Sequence, residues 1–152
     1  MTYLNLNGKG FTLLEVLVAI LIVSLGLMAV AGLLTTSISA NTFSRDGTIA
    51  IQLAEEMADR IRTNAGTTLE KYNGIDTGSA CGGDYPPAVG DCNQWTLRLQ
   101  NSGLIGARGR VWVTNDSPIS KSALVIITVT WGVLSTPQRS VTFTTIMETW
   151  IT

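Results

Sequence analysis

The sequence predicts an α+β protein in which a long N-terminal helix packs on a small antiparallel β-sheet. Three observations carry this. Apolar residues run from Phe11 to Leu34 with Glu15 as the only charge. Ala50, Leu53, Ala54, Met57, Ala58 and Ile61 then recur at the i, i+3, i+4, i+7 spacing of one helix face. From Arg110 onward, apolar and polar residues alternate in three short segments separated by turn formers.

The composition narrows the function classes. The chain has 152 residues, 45% hydrophobic and 14% charged, and the apolar excess is concentrated in residues 11–34. A net charge of −1 leaves no basic footprint, so nucleic acid is not an expected partner. The absence of histidine removes the commonest general base and metal ligand. There is no Gly-x-Ser-x-Gly elbow, phosphate loop or ligand cluster, so neither an enzyme nor a cofactor is expected. Asp84, Asp91 and Asp116 lack the spacing of a catalytic pair and are expected to be solvated turn residues.

The first segment, residues 1–10, is a short polar leader with Lys9 as its only charge. Residues 11–34 form the apolar run. As a helix it would be about 36 Å long, enough to cross a hydrocarbon core of roughly 30 Å. Lys9 before the run predicts that this end stays in the cytoplasm, and the first basic residue after it is Arg45. Ala29-Val30-Ala31 offers the cleavage pattern of a secretory signal peptide, but the apolar region before it exceeds the usual 7–15 residues. A plain membrane anchor accounts for length and orientation and leaves Glu15 unexplained. A carboxylate at the centre of a bilayer costs about 2.5–3.5 kcal/mol on insertion scales, less near the interface, so its placement calls for a purpose.

Residues 35–64 continue the helix. No proline occurs before Pro86. Glu55, Glu56, Asp59, Arg60 and Arg62 fill the face opposite the apolar stripe, and Glu56 to Arg60 has the favourable i,i+4 order. Gly47, beside Arg45 and Asp46, is the candidate for a bend or local melting, and Asn64-Ala65-Gly66 is the expected stop.

Residues 65–152 form the head. Glycines and Pro86-Pro87 punctuate residues 66–94, which are expected to be a loop. The loop holds the only cysteines, Cys81 and Cys92. Outside the cytoplasm they are expected to form one disulfide, contributing about 2.5–3 kcal/mol by restricting the unfolded chain. Zinc would need two further ligands, and the spacing is not that of a Cys-x-x-Cys redox motif. Asp91 or Asn93 is the candidate cap of a short helix through Trp95 and Leu99, ending near Gly103. Arg110–Thr114, Ala123–Trp131 and Arg139–Trp150 are the expected strands, with turns at Asn115–Pro118 and at residues 135–138. Val125, Ile127, Val129 and Trp131 share one face of the second. Three consecutive strands joined by short turns make a meander that can bury one face on the helical stripe.

Gly8-Lys9-Gly10-Phe11-Thr12-Leu13-Leu14-Glu15-Val16 resembles the processing signal of type IV prepilins, and the order of elements resembles the pilin ladle fold. The resemblance implies that a prepilin peptidase/N-methyltransferase cuts between Gly10 and Phe11 and methylates Phe11. Glu15 then lies one helical turn from the new amine. It would pair with that amine or, in a filament, with the amine of a neighbour, setting axial register. Leu53–Asn64, Leu14–Ala19 and the later order of cysteine, tryptophan and Thr-Val-Thr-Trp are similar to PilV-type minor pilins, the pilus modification proteins. Arg108-Gly109-Arg110 departs from the glycine-rich turn of such proteins, and no binding role is assigned to it.

That resemblance implies a structural subunit that helps prime pilus assembly near the tip. Its partners would be other minor and major pilins, the inner-membrane assembly platform and, at the tip, an adhesin. Before assembly it would sit in the inner membrane with a periplasmic head, and afterwards in the pilus at the cell surface, serving adhesion and motility. A minor pseudopilin of a type II secretion system shares the same motif and is the alternative. A membrane-tethered adhesin is a further one.

Overall fold

The computed structural model describes residues 10–66, 68–133 and 138–148. Its elements are helix α1 (Leu13–Asn64), a short 3-10 helix (Leu69–Tyr72), helix α2 (Pro86–Gln100) and strands β1 (Arg108–Asn115), β2 (Ser122–Trp131) and β3 (Arg139–Glu148). The arrangement is α+β, with a long N-terminal apolar helix and a three-stranded antiparallel sheet in the order β1-β2-β3. The chain divides into two compact units, Met1–Phe43 and Ser44–Thr152.

The first unit is helical from Leu13 onward, and its large apolar side chains are exposed. Most of its described hydroxyls are bonded locally. Ser24 Oγ donates to Ile20 O at 2.7 Å, and Thr35 and Thr36 donate to Ala31 O and Gly32 O at 3.0 and 3.1 Å. A hydroxyl bonded back to the preceding turn presents little unpaired polarity to an apolar medium. The helical hydrogen bonding runs unbroken through Gly47, in contrast to the local melting considered there. Thr48 Oγ1 donates to Ser44 O across it, and one glycine costs only about 1 kcal/mol against the packed stripe that follows.

In the second unit, Ala50, Leu53, Ala54, Met57, Ala58 and Ile61 are all buried. They share one core with Val111, Ala123, Val125, Ile127 and Val129 on the inner face of the sheet. Alternation along β2 places every second side chain there, and its other residues are mostly half-buried on the outer face. The free edge of β1 is covered by the segment after the 3-10 helix: Val111 N–H donates to Ile75 O at 2.9 Å, and Gly74 N–H to Val111 O at 3.0 Å.

Four expectations are corrected. Residues 66–94 are not one loop, because Leu69–Tyr72 forms a 3-10 turn that buries Leu69 and Tyr72, and α2 begins at Pro86. Tyr85, not Asp91 or Asn93, is the N-cap residue, and Pro86-Pro87 fills the first turn, where proline's missing N–H costs nothing. The helix also ends earlier than Gly103, at Gln100. β1 starts two residues earlier than expected, at Arg108. Residues 135–137 of the expected turn, Thr149 and Trp150 of the expected third strand, and leader residues 1–9 lie outside the described residues.

Candidate functional site

The N-terminal site is built by the start of α1. Gly10 is exposed, and Phe11 is 83% exposed. Thr12 caps the helix: its Oγ1 accepts the Glu15 N–H at 3.2 Å, and its carbonyl accepts the N–H groups of Glu15 and Val16 at 3.0 and 3.3 Å. Glu15 is therefore the third residue of the first turn, where unpaired N–H groups and the helix dipole favour a negative charge. Threonine followed three residues later by glutamate is the sequence pattern of a capping box. Among the described residues no ion pair to Glu15 is formed within the chain. The same short sequence thus starts the helix and presents one carboxylate beside Phe11, at the edge of an exposed apolar surface.

α1 is, among the described residues, the one helix long and apolar enough to cross a membrane. Residues 6–31 match the prokaryotic N-terminal methylation motif. That match supports a pilin-like family and, with the length and apolarity of α1, a membrane-anchored protein. The matched residues include Gly8–Val16 and most of the apolar run, and none of residues 65–152. No curated protein and no solved structure matches the chain.

Within the head, Cys81 and Cys92 are disulfide-bonded, with Cα atoms 5.8 Å apart, and the bond ties residues 79–83 to α2. Beside it lies a hub absent from the sequence-level expectations. Asp91 is only 5% exposed, on the inner side of α2, and is not a solvated turn residue. Tyr72 Oη donates to its Oδ2 at 2.7 Å, and Asn64 Nδ2 donates to Oδ2 and Oδ1 at 2.9 and 3.1 Å. Arg60 Nη1 stands 3.5 Å from Oδ1. One carboxylate thereby joins the end of α1, the 3-10 turn and α2. Burial, reinforced by the hydrogen bond to Asp91 and its charge, pushes the Tyr72 hydroxyl far above the usual phenol range. The aspartate falls in mid-helix between Ala88 and Trp95 on the buried face, a spacing that becomes readable once the helix is known to begin at Pro86.

Two further polar groups brace the same unit. Glu56 takes hydrogen bonds from Arg60 at 2.9 Å and Arg98 at 3.2 Å. Burial pushes its carboxyl up, but the two guanidinium groups outweigh that and hold it below its ordinary value. Asp76 accepts from Arg108 Nε at 2.7 Å, Arg110 Nε at 2.9 Å and the Gly78 N–H at 2.8 Å. Burial opposes its ionisation, and these donors hold its carboxyl below the usual range. Both guanidinium groups of Arg108-Gly109-Arg110 are thus engaged in fixing the loop onto β1, and buried Gly109 lies under the Trp95 ring. No group of three or more metal-ligating side chains occurs among the described residues. These polar clusters join the end of α1, the 3-10 turn, α2 and β1 to one another.

Proposed function

We propose that this chain is a minor type IV pilin, a structural subunit that helps prime pilus assembly and sits near the filament tip. In this reading residues 1–10 are removed, residues 11–34 span the inner membrane and later the filament core, and residues 35–64 link that rod to the head. The head, residues 65–152 with the Cys81–Cys92 bond, lies in the periplasm. Partners are the peptidase and methyltransferase, the assembly platform, and other pilins.

One observation carries the proposal: the methylation motif over residues 6–31 coincides with an exposed apolar helix that begins at a capped carboxylate. An exposed apolar surface of that extent needs lipid or neighbouring helices to cover it. Cleavage after Gly10 would create an ammonium group at Phe11. Within a filament, Glu15 of one subunit and the amine of the next are matched charges in a water-poor core, where an unmatched charge is costly. Register follows from that pairing. The Met57–Asn64 segment, within the stretch similar to PilV-type pilins, and the Cys81–Cys92 disulfide favour a pilus over a type II secretion pseudopilus.

Mass spectrometry of the mature N-terminus tests the processing step. The expected product begins at N-methylated Phe11, and one beginning at residue 32 would overturn it in favour of conventional signal-peptide cleavage. Deletion, scored for surface pili against exoprotein secretion, tests the machine: loss of secretion with normal pilus number would assign the chain to the secretion system.

A further inference from the structure

We propose that the free edge of β3 is an acceptor site for an extended segment of a partner polypeptide, which adds a fourth strand to the sheet. Every residue involved belongs to the second unit, so the site stands independently of the pilin reading.

Hydrogen bonding passes across the sheet in a fixed phase. On β1 the N–H groups of Gly109, Val111 and Val113 turn outward, to Thr77 Oγ1, Ile75 O and Asn73 Oδ1. Alternation in an antiparallel ladder then gives Arg110, Trp112 and Thr114 to β2, where they face Thr128, Ile126 and Leu124. The odd-numbered residues of β2 therefore bond to β3, Val129 with Val141, Ile127 with Phe143 and Val125 with Thr145. This leaves the N–H and C=O groups of Ser140, Thr142, Thr144 and Ile146 directed away from the sheet, and Glu148 follows in the same phase. Those four residues are exposed, and among the described residues their outward backbone groups meet no partner within the chain.

Such an edge is complemented by another extended backbone. The two edges of this sheet differ. The segment after the 3-10 helix covers β1, whereas β3 keeps ten residues in unbroken register, with no proline, lysine or bulge to blunt it. Its side chains specify what can be added. Val141 and Phe143 are only half-buried on the inner face, so apolar residues opposite them complete the core. Thr142 and Thr144 suit β-branched polar residues on the outer face, and Glu148 suits a cation. Beside the Glu148 end lies a cleft of about 280 Å³, lined by buried Ile61, Ala65, Leu69 and Met147, with room for an aliphatic side chain. Run antiparallel to β3, the partner segment therefore starts with a basic residue and a large apolar one, then alternates without charge.

The test is amide hydrogen exchange, read by NMR on the full chain in detergent, with the synthetic peptide Lys-Leu-Thr-Val-Thr-Val-Thr-Val as probe. Alone, the chain should exchange the amides of residues 140, 142, 144 and 146 fast and those of 141, 143 and 145 slowly. Saturating peptide should slow the even-numbered set about tenfold and leave the odd-numbered set unchanged. The same peptide N-methylated at each threonine, whose N–H would face the edge, should have no effect. Thr144→Pro removes one outward N–H and no ladder bond, so it should abolish the protection at an unchanged melting temperature. Thr144→Lys keeps every backbone donor and should reduce the protection even if the proline variant fails to fold. Even-numbered amides that ignore the peptide overturn the inference. So do ones already slow in the isolated chain, whose edge would then be covered by the chain itself. Slowing that grows with protein concentration and needs no peptide would assign the edge to a second copy and overturn the partner assignment.

Discussion

Replacing Tyr72 by phenylalanine probes the buried hub that joins three elements of the head. Tyr72 is fully buried, and its hydroxyl gives Asp91 the shortest of that carboxylate's hydrogen bonds, 2.7 Å. Tyr72→Phe keeps the ring and its packing and deletes one bond to a charged acceptor. Such bonds contribute about 1.5–3 kcal/mol. Asp91 retains both bonds from Asn64 and the nearby Arg60, so it is weakened but not orphaned, which places the loss at about 1.5–2 kcal/mol. For a domain of roughly 100 residues that lowers Tm by about 6–10 °C. The assay is a near-ultraviolet circular dichroism melt of the full chain in detergent. Tyr85→Phe is the control, because Tyr85 donates to Asn64 O at 2.6 Å in an exposed setting where water can replace it. Its expected shift is under about 2 °C. Equal shifts for the two variants, or a Tyr72→Phe melt indistinguishable from the parent, would refute the assignment of Asp91 as a buried anchor.

Gly109→Ala should be severely destabilising, by about 3 kcal/mol or more, because the added Cβ overlaps the ring of fully buried Trp95, itself fixed by its indole bond to Leu53 O at 2.9 Å. A melt or the yield of folded protein reads this out. Paired Cys81→Ser and Cys92→Ser changes should cost about 2.5–3 kcal/mol in a denaturant titration, since the bond closes a loop with a sequence separation of 11. The depressed Asp76 carboxyl contributes stability that is present above its unfolded pKa, near 4, and lost as pH falls through its lower folded value. The Tm gap between wild type and Asp76→Asn should therefore be widest at neutral pH and shrink below about pH 4. Glu15→Ala should leave membrane insertion intact and reduce filament incorporation, scored by fractionation and by shear of surface pili.

The parts legible in the sequence were those fixed by periodicity. The six-residue stripe from Ala50 to Ile61 and the alternation through Val125, Ile127 and Val129 each name their own buried face, and the two faces meet in one core. The start of α2 was illegible for a physical reason. Proline punctuates loops and also occupies the first turn of helices, and Tyr85 supplies no side-chain cap to decide between them. The 3-10 turn is too short for any period. With both elements hidden, Asp91 had no face to be assigned to, and its burial followed from contacts far away in sequence. Gly109 is a similar case: its reason for being glycine is Trp95, which no local pattern connects to it.

The two units also use apolar surface in different ways, and this difference gives the N-terminal motif its meaning. In the second unit, the stripe on α1 is matched by the inner face of the sheet, so that unit covers its own hydrophobic surface. Before Phe43, large side chains such as Leu13, Leu21, Met28 and Leu33 remain mostly exposed. A surface that the chain does not cover is completed from outside, by lipid or by like helices. A carboxylate at the capped first turn of such a helix discriminates between these two. In lipid Glu15 gains only the helix N-terminus and the interface, whereas among packed copies cut at Phe11 each glutamate can meet an amine. Under the proposed pilin reading, the position of Glu15, three residues past the Thr12 cap, is what would make polymerisation the destination of the exposed helix.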